Sequence, residues 1–199
     1  MNLDLTPIKD VRSLSYAIQN IVVKTSLNIE ERLDLKRISM EIKNAEYNSE
    51  RFPGLFLRLR HPKCVIIVFK NGKLILTGLK SFDQINLATT RLILKLKSIF
   101  KFNIDNNSVK PKVVNIVITA NFYKQINLDL AAIRLDNTIY EPEVFPGLIY
   151  NSSNPVKSVF LIFSTGKIVF TGIREKDKIE SALIGLGRLL KKENLFLTS

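Results

Sequence analysis

Two asparagines stand in matching apolar surroundings, and their chemistry is that of hydrogen bonding rather than catalysis. Asn20 lies in the run IQNIVV, and Asn115 lies in the run VVNIVI. An amide side chain carries two N–H donors and one carbonyl acceptor, and it does not titrate near neutral pH. On a surface of aliphatic side chains, such an amide can donate hydrogen bonds to a ligand. The pair therefore indicates recognition of a ligand that offers acceptors.

The residues that usually carry catalysis are sparse in this chain. His61 is the only histidine and precedes Pro62, with no nucleophile or metal-ligand spacing around it. Cys64 is the only cysteine, which excludes an intrachain disulfide and a cysteine-only metal site. Gly185 and Gly187 fall within a helical pattern and lack the Lys-Ser/Thr of a phosphate-binding loop. We expect that the chain is not an enzyme and needs no cofactor or metal.

A stretch of the chain occurs twice, which constrains how the asparagines are positioned. The segment RFPGLFLRLRHPKCVIIVFKNGKLILTG at Arg51–Gly78 returns in similar form as EPEVFPGLIYNSSNPVKSVFLIFSTGKIVFTG at Glu141–Gly172. Solenoid repeats have periods of about 20 to 50 residues, whereas Gly72 and Gly166 of the two copies are 94 positions apart. The period therefore predicts a duplicated half-domain. We predict three segments: an N-terminal arm over 1–15, a first repeat over 16–107 and a second repeat over 108–199.

Composition narrows the class of partner. The 199 residues carry a net charge of +12 and 46% hydrophobic residues, so a real core and a polyanionic partner are both expected. That partner could be a nucleic acid, an anionic membrane or an acidic protein; an AT-rich genome, which enriches lysine codons, is the alternative cause of the charge. The chain has no apolar run of about 18 residues and no signal-peptide core. We therefore expect an intracellular protein without a transmembrane helix.

The periodicity predicts the same series of elements in both repeats: a strand, a short helix, about four strands and a long helix. Strands rich in β-branched residues are predicted at Tyr16–Lys24 and Lys112–Ala120. Helical spacing predicts four helices, at Leu33–Lys43, Ser81–Phe102, Leu128–Leu135 and Asp177–Asn194. We predict that the pairs Asp34-Leu35 and Asp129-Leu130 occupy equivalent positions in the two short helices. The predicted fold class is α+β, with the two halves sharing a curved antiparallel sheet of about ten strands.

Several of these strands are apolar at every position. Val65–Phe69 reads VIIVF and Val159–Phe163 reads VFLIF. Strand side chains alternate between faces, so both faces of such a sheet are apolar. The predicted helices are too few to cover both faces, and an uncovered apolar face marks a binding surface. Burial of both faces is the competing interpretation. Two sets of residues share one parity and favour a functional face: Ile67, Phe69, Ile75, Thr77 and Leu161, Phe163, Val169, Thr171.

At these residues the sequence resembles the TATA-box-binding protein family, over roughly Ser15 to Phe196. The motifs that carry the resemblance are IQNIV, NAEYNSERF, RLRHP, IVFKNGKLILTG, VVNIV, YEPEVFPGLIY and LIFSTGKIVFTG, in that order. The resemblance implies a pseudo-two-fold saddle with helices on its convex side. It also implies a general transcription initiation factor that binds the minor groove of A·T-rich DNA and kinks it, as this family does.

Roles for individual residues follow from the resemblance. It implies intercalation by four phenylalanines, Phe52, Phe69, Phe145 and Phe163, for which core packing is the alternative. It implies base contacts from ten residues, Asn20, Val22, Ile67, Ile75, Thr77, Asn115, Val117, Leu161, Val169 and Thr171. The phosphate candidates are Arg51, Arg58, Arg60, Lys73 and Lys167, and a solvated edge is the alternative for Arg58 and Arg60.

Partners are implied in the same way. Glu141 and Glu143 match the acidic segment by which family members contact the B-type initiation factor. A surface loop without a partner is the alternative for these two glutamates. The lysines Lys95, Lys97 and Lys101 on the second helix are candidates for contacts with other factors, and simple solvation is the alternative. The A-type factor and TBP-associated factors are further partners that the resemblance implies. The resemblance further implies a homodimer through the concave face in the absence of DNA. A basic charge without a long N-terminal extension favours a eukaryotic or viral source and hence a nuclear location.

The sequence also departs from the family's pattern. Lys24 stands where a small polar residue is usual, and Asn151 stands where an arginine is usual. The second copy has one extra residue, which we place just after Pro155. These departures keep a second hypothesis open: a divergent member of the family that acts as a protein-interaction module with weak or altered DNA binding.

Overall fold

The structure is a computed structural model that describes residues 15–100, 104 and 109–197. These residues form ten strands and four helices and divide into two compact units. Among the described residues, the N-terminal unit comprises 18–116, and the C-terminal unit comprises 117–197 together with 15–17. The predicted arm, apart from Ser15, and the candidate Lys101 lie outside the described residues. The proposed division into repeats at residue 107 stays a prediction.

The N-terminal unit is built on five strands and two helices. In chain order they are β1 (Ser15–Ser26), α1 (Leu35–Glu41), β2 (Ala45–Glu46), β3 (Gly54–Arg60), β4 (Lys63–Phe69), β5 (Lys73–Leu79) and α2 (Asp83–Ile99). The strands lie side by side in the order β2-β3-β4-β5-β1, and each neighbouring pair is antiparallel.

The same order of elements recurs in the rest of the chain. It comprises β6 (Lys112–Asn121), α3 (Leu128–Arg134), β7 (Thr138–Ile139), β8 (Leu148–Ser152), β9 (Ser158–Ile162), β10 (Lys167–Ile173) and α4 (Lys178–Lys192). The strand order is β6-β10-β9-β8-β7, and β7, β8, β9 and β10 pair antiparallel in sequence. The predicted series of elements is confirmed in both units. None of the helices in the described part is long and apolar enough to cross a membrane.

Helices cover one face of the strands in the N-terminal unit. In β4, Ile66 and Val68 are buried, whereas their neighbours Val65 and Ile67 are half-buried. The buried side chains of α2 recur at the three- and four-residue spacing of a helix: Ile85, Ala88, Thr89, Leu92, Ile93, Leu96 and Ile99. Because α2 contacts β5, this apolar stripe closes the core against one side of the strands. The alternation therefore separates a covered face from an open one.

The core of the C-terminal unit contains a stack of aromatic rings. Phe160 lies between Phe170, with ring centroids 5.0 Å apart, and Tyr150, at 6.1 Å. Phe160 and Phe170 are fully buried. The stack follows strand register, because Phe160 is opposite Tyr150 on β8 and opposite Phe170 on β10. The equivalent positions of the N-terminal unit are aliphatic: Leu57, Ile66 and Leu76.

The short helices begin at side-chain caps. The Asp34 carboxylate accepts a hydrogen bond from the backbone N–H of Arg37, at 3.0 Å, and so caps α1. The Asn127 side chain accepts from Leu130 N–H, at 2.9 Å, and caps α3. Asn127 is therefore the counterpart of Asp34, and the predicted equivalence of Asp34-Leu35 with Asp129-Leu130 is wrong by two residues.

The extra residue of the second copy lies in one turn. In the first copy, Arg60 pairs with Lys63, so two residues connect β3 to β4. In the second copy, Ser152 pairs with Ser158 at the ends of β8 and β9, and the turn between these strands contains Pro155. Both hairpins keep their register on either side of the turn. The insertion therefore lies in the predicted turn, and its position just after Pro155 stays a prediction.

Cys64 is protected by its place on the covered face of β4, where it lies opposite Leu59. Burial raises the pKa of its thiol from 9.0 to about 11. We expect folded protein to react slowly with iodoacetamide until the pH approaches 11, and unfolded protein to react readily near pH 9. Since the neutral thiol is favoured only in the folded state, its contribution to stability is lost as the pH rises from 9 towards 11. Equal alkylation rates for the folded and denatured chain would contradict this assignment.

Candidate nucleic-acid interface

The open face of the N-terminal unit is an apolar strip across four strands. We define it by half-buried residues that share one parity: Phe56, Val65, Ile67, Phe69, Ile75 and Thr77 on β3 to β5, and Val22 on β1. Register brings them into rows, because Ile67 lies opposite both Phe56 and Ile75, and Val65 lies opposite Thr77. The described helices leave this strip uncovered. The predicted base-contact residues Val22, Ile67, Ile75 and Thr77 are therefore all on one accessible surface.

The C-terminal unit has a matching open face. Its half-buried residues are Val117 on β6, Ile149 on β8, Val159 and Leu161 on β9, and Val169 and Thr171 on β10. Leu161 lies opposite Ile149 and Val169, and Val159 lies opposite Thr171. The predicted Val117, Leu161, Val169 and Thr171 thus share this face. Burial of both faces, the competing interpretation, does not apply to the described residues.

Each open face ends in a pair of phenylalanines. The ring centroids of Phe52 and Phe69 are 6.0 Å apart, and those of Phe145 and Phe163 are 5.9 Å apart. All four side chains are half-buried, so a substantial part of each ring is in contact with solvent. The rings are therefore available for stacking on a ligand, unlike the fully buried Phe160.

The glycine of each FPG turn makes room for these rings. A Cβ atom on Gly54 would lie 2.7 Å from Phe52 Cε1 and 2.8 Å from Ile67 Cγ2. A Cβ atom on Gly147 would lie 2.7 Å from Phe145 Cε1. Carbon atoms do not approach so closely, so any larger residue would displace the ring. The FPG turn therefore positions the first ring of each pair.

A bulge in β5 fixes the orientation of Asn20. Register between β1 and β5 shifts between Ile21 and Val23, and Gly78 there has a φ of 89°. The Gly78 backbone N–H donates to Asn20 Oδ1 at 2.7 Å, and Thr77 Oγ1 lies 3.3 Å from the same oxygen. A backbone N–H requires an acceptor, so the carbonyl end of the amide faces Gly78. The two N–H donors of Asn20 are thereby left for a ligand.

Asn115 occupies the related position on β6 and is likewise half-buried. Gly172 of β10 has a φ of 96°, close to that of Gly78 in β5. The backbone conformation of Gly78, which donates to Asn20, is therefore repeated at Gly172 in β10.

The phosphate candidates are exposed around the open faces. Lys73 and Lys167 begin β5 and β10, and Arg51 lies in the turn before Phe52. The other two are on β3, where Arg58 lies opposite Val65 and Arg60 ends the strand. Arg58 Nη2 is 3.5 Å from Glu46 Oε2, an exposed pair of small energetic value. Asn151, at the position where an arginine is usual, is exposed and its Nδ2 donates to the Asn137 carbonyl at 3.4 Å.

The described partner-contact candidates are exposed on α2 and in the turn that leads into Phe145. Lys95 and Lys97 are exposed on α2, which covers the opposite side of the strands. Glu141 and Glu143 are exposed in the turn before Phe145, where the Glu141 carbonyl accepts from Phe145 N–H at 2.9 Å. Val144, in the same turn, is 80% exposed. The acidic turn therefore also presents an exposed apolar side chain, and the sequence alone does not reveal this exposure.

Sequence reasoning missed Phe56 as a member of the interface. Phe56 lies on the open face and its ring centroid is 5.1 Å from that of Phe52. The signal was present, because Phe56 shares parity with Arg58 in β3. The described residues contain no group of three or more His, Cys, Asp or Glu that could hold a metal ion.

The chain is similar to known proteins in both sequence and structure. The pattern of the family "Transcription factor TFIID (or TATA-binding protein, TBP)" matches residues 15–99 and 110–193. The TATA-box-binding protein of Sulfolobus acidocaldarius is 43% identical over 168 residues, which cover 83% of this chain and 82% of the relative. That of Methanocaldococcus jannaschii is 40% identical over 166 residues, covering 83% and 88%.

A solved structure of Methanococcus jannaschii TBP is similar with a TM-score of 0.80 and 38% sequence identity. The match covers 89% of this chain and 99% of that one. It confirms the predicted fold class.

Proposed function

Because this chain belongs to the TATA-binding protein family, we propose that it is a general transcription factor whose open faces bind the minor groove of A·T-rich promoter DNA. The family consists of DNA-binding transcription factors and not of enzymes. One observation supports the proposal above the others: each unit presents an uncovered apolar face that ends in a half-buried phenylalanine pair.

The apolar face suits the minor groove of A·T pairs. There, A·T and T·A present only acceptors, at adenine N3 and thymine O2, whereas a G·C pair adds the amine of guanine. Aliphatic side chains such as Val22 and Val117 offer that amine no acceptor, and the N–H donors of Asn20 would oppose it. A·T base pairs fit the same surface without an unpaired polar group. We propose that this difference excludes G·C pairs.

The phenylalanine pairs are proposed to kink the duplex. Inserting an apolar wedge between base pairs unstacks the step at a cost of a few kcal/mol and bends the DNA towards the major groove. The bend brings more of the groove into contact with the apolar surface, which offsets the cost. Arg51, Arg58, Arg60, Lys73 and Lys167 would then neutralise phosphates at the edges of the groove.

Exposed charged side chains outside the apolar faces are candidates for contacts with further transcription factors. We propose that Glu141 and Glu143 contact a B-type initiation factor, and that Lys95 and Lys97 contact the A-type factor or TBP-associated factors. In the absence of DNA, self-association through the open faces would shield the same apolar surface from water. A transcription factor works where the chromosome lies, in a nucleus or a nucleoid. The relatives named above are archaeal and archaea have no nucleus, so a nuclear location stays a prediction.

A binding titration tests the proposal directly. The protein is mixed with an A·T-rich duplex and with a G·C-rich duplex of equal length, and complexes are separated by electrophoresis at several salt concentrations. We expect strong preference for the A·T-rich duplex and a log–log salt slope of about −4.5 if all five phosphate contacts form. Equal affinity for both duplexes, or no binding, would instead favour the protein-interaction module.

The amide of Asn20 supplies a sharper test. In Asn20→Asp, the carboxylate still accepts from Gly78 N–H, but the two donors are replaced by a negative charge. We expect the fold to persist and affinity for the A·T-rich duplex to fall at least about tenfold, since a good base contact contributes about 1–3 kcal/mol. Asn127→Asp is the matched control, because the same change at the cap of α3 retains the acceptor. Equal affinities of the two variants would contradict the assigned role.

A further inference from the structure

The two units differ in charge at the same place. Each open face has a pocket beside its second phenylalanine, near the hairpin turn. The N-terminal end pocket, of about 510 Å³, lies beside Phe69, Pro53 and Ile75. The C-terminal end pocket, of about 580 Å³, lies beside their counterparts Phe163, Pro146 and Val169.

Four cationic side chains line the N-terminal end pocket, namely Lys24, Arg32, Lys70 and Lys73. Among the described residues, Lys167 is the one cationic side chain that lines the C-terminal end pocket. Of the residues that the structure describes, no carboxylate lines either pocket. In the repeat, Lys73 corresponds to Lys167, but Lys70 corresponds to Ser164 and Lys24 to Thr119. The duplication therefore preserved the place and approximate volume of the pocket and not its charge.

Lys24 is the member of this set that belongs to the open face itself. It follows Asn20 and Val22 at alternate positions of β1, and it lies opposite Ile75 of β5. Its side chain is exposed. Within residues 15–100, 104 and 109–197, neither Lys24 nor the three other cations of the pocket forms an ion pair. The charge is thus available to an anionic ligand on the surface that carries the base contacts.

We propose that Lys24 contacts a DNA phosphate beside the base step that Phe52 and Phe69 enter, and that this contact directs the N-terminal unit to the more highly charged flank when the two flanks of a duplex differ in phosphate charge. This inference rests on the proposed function. The narrow minor groove of A·T-rich DNA has an enhanced negative potential that attracts lysine and arginine side chains. A duplex flank with full phosphate charge is therefore bound preferentially by the N-terminal unit.

The salt dependence of binding tests the phosphate contact. Lys24→Thr introduces the residue type of the equivalent Thr119, and Lys36→Thr removes an equal charge from an exposed position on α1. The quantity measured is the slope of the logarithm of the binding constant against the logarithm of the salt concentration. On an A·T-rich duplex we expect Lys24→Thr to make this negative slope less steep by about 0.9, and Lys36→Thr to leave it unchanged. Circular dichroism establishes that both variants are folded.

The outcomes separate this inference from the proposed function. If the parent protein does not bind the A·T-rich duplex, the proposed function fails and the inference with it. If the parent protein binds and the Lys24→Thr slope equals that of the parent protein, the inference alone is overturned. Equal slope changes in Lys24→Thr and Lys36→Thr would also overturn it, because net charge would then explain the effect.

Direction is tested on a palindromic A·T-rich duplex with neutral methylphosphonates in one flank. A cleaving reagent is attached to Ser153→Cys in the exposed turn between β8 and β9, while the buried Cys64 stays unlabelled. We expect cleavage on the neutral flank, which places the N-terminal unit on the charged one. In the double variant Lys24→Thr/Thr119→Lys the pocket charges become three and two, and the preference should shrink. Equal cleavage of both flanks by the labelled Ser153→Cys protein would overturn the directional preference.

Discussion

Replacing Phe145 and Phe163 with alanine is expected to remove one of the two kinks in the DNA, and so to reduce the bend, while the chain stays folded. The two rings are half-buried, so their removal disturbs the core less than the loss of a fully buried ring. Full burial of an exposed Phe side chain gains about 1.5–3 kcal/mol, and a half-buried ring that enters a base step gains about half of that. Loss of both should lower affinity by about 1.5–3 kcal/mol, or roughly one to two powers of ten. Energy transfer between dyes at the ends of an A·T-rich duplex measures the bend.

The chain provides a matched control for this experiment. Phe122 and Phe196 also form a half-buried ring pair in the C-terminal unit, with centroids 5.9 Å apart. A Cβ atom on Gly187 of α4 would lie 3.2 Å from Phe122 Cε1, so this pair belongs to the helix side of the unit. Phe122→Ala/Phe196→Ala should lower stability and leave the bend intact. An unchanged bend in Phe145→Ala/Phe163→Ala would remove intercalation by this pair from the proposed mechanism.

Phe160→Ala is expected to produce the largest loss of stability among single changes in the C-terminal unit. Phe160 is the middle ring of the stack with Tyr150 and Phe170, and it is 1% exposed. Removal of such a ring leaves a cavity and costs about 3–5 kcal/mol. Denaturant titration followed by circular dichroism measures the free energy of unfolding.

Two further variants show whether the stack itself is responsible. Phe160→Leu keeps most of the apolar volume and should cost less than Phe160→Ala, as shape-conserving changes do. Phe163→Ala, on the open face three residues away, should also cost less, because its ring is already in contact with solvent. A loss below about 1 kcal/mol in Phe160→Ala would mean that the unit repacks around the missing ring.

Much of the architecture could be predicted because the sequence is duplicated. Each strand or helix can then be predicted from two related segments. Strand and helix bounds such as Lys112–Asn121 and Asp83–Ile99 fall within a few residues of the predicted Lys112–Ala120 and Ser81–Phe102. Hydrophobic runs such as VIIVF do not by themselves reveal which face of a strand is open. Parity within the repeated motifs did so, and the half-buried Ile67 and Leu161 agree with it.

The orientation of Asn20 could not be predicted, because it depends on two strands at once. The bulge that frees Gly78 N–H arises from the register of β5 against β1, and no local pattern around Asn20 encodes that register. The cap of α3 is different in kind. Asn127 precedes a leucine as Asp34 does, so the signal was present, and the more conspicuous Asp129 obscured it.

The aromatic stack has a consequence for the history of the duplicated gene. Phe160 and Phe170 stand where the first copy has Ile66 and Leu76, and packed interiors tolerate such changes of volume poorly. Recombination that exchanged these segments between the copies would place rings in a space shaped for branched aliphatic chains, and the reverse exchange would leave voids. The two copies still have the same order of strands and helices, but their core segments can no longer be exchanged without loss of packing.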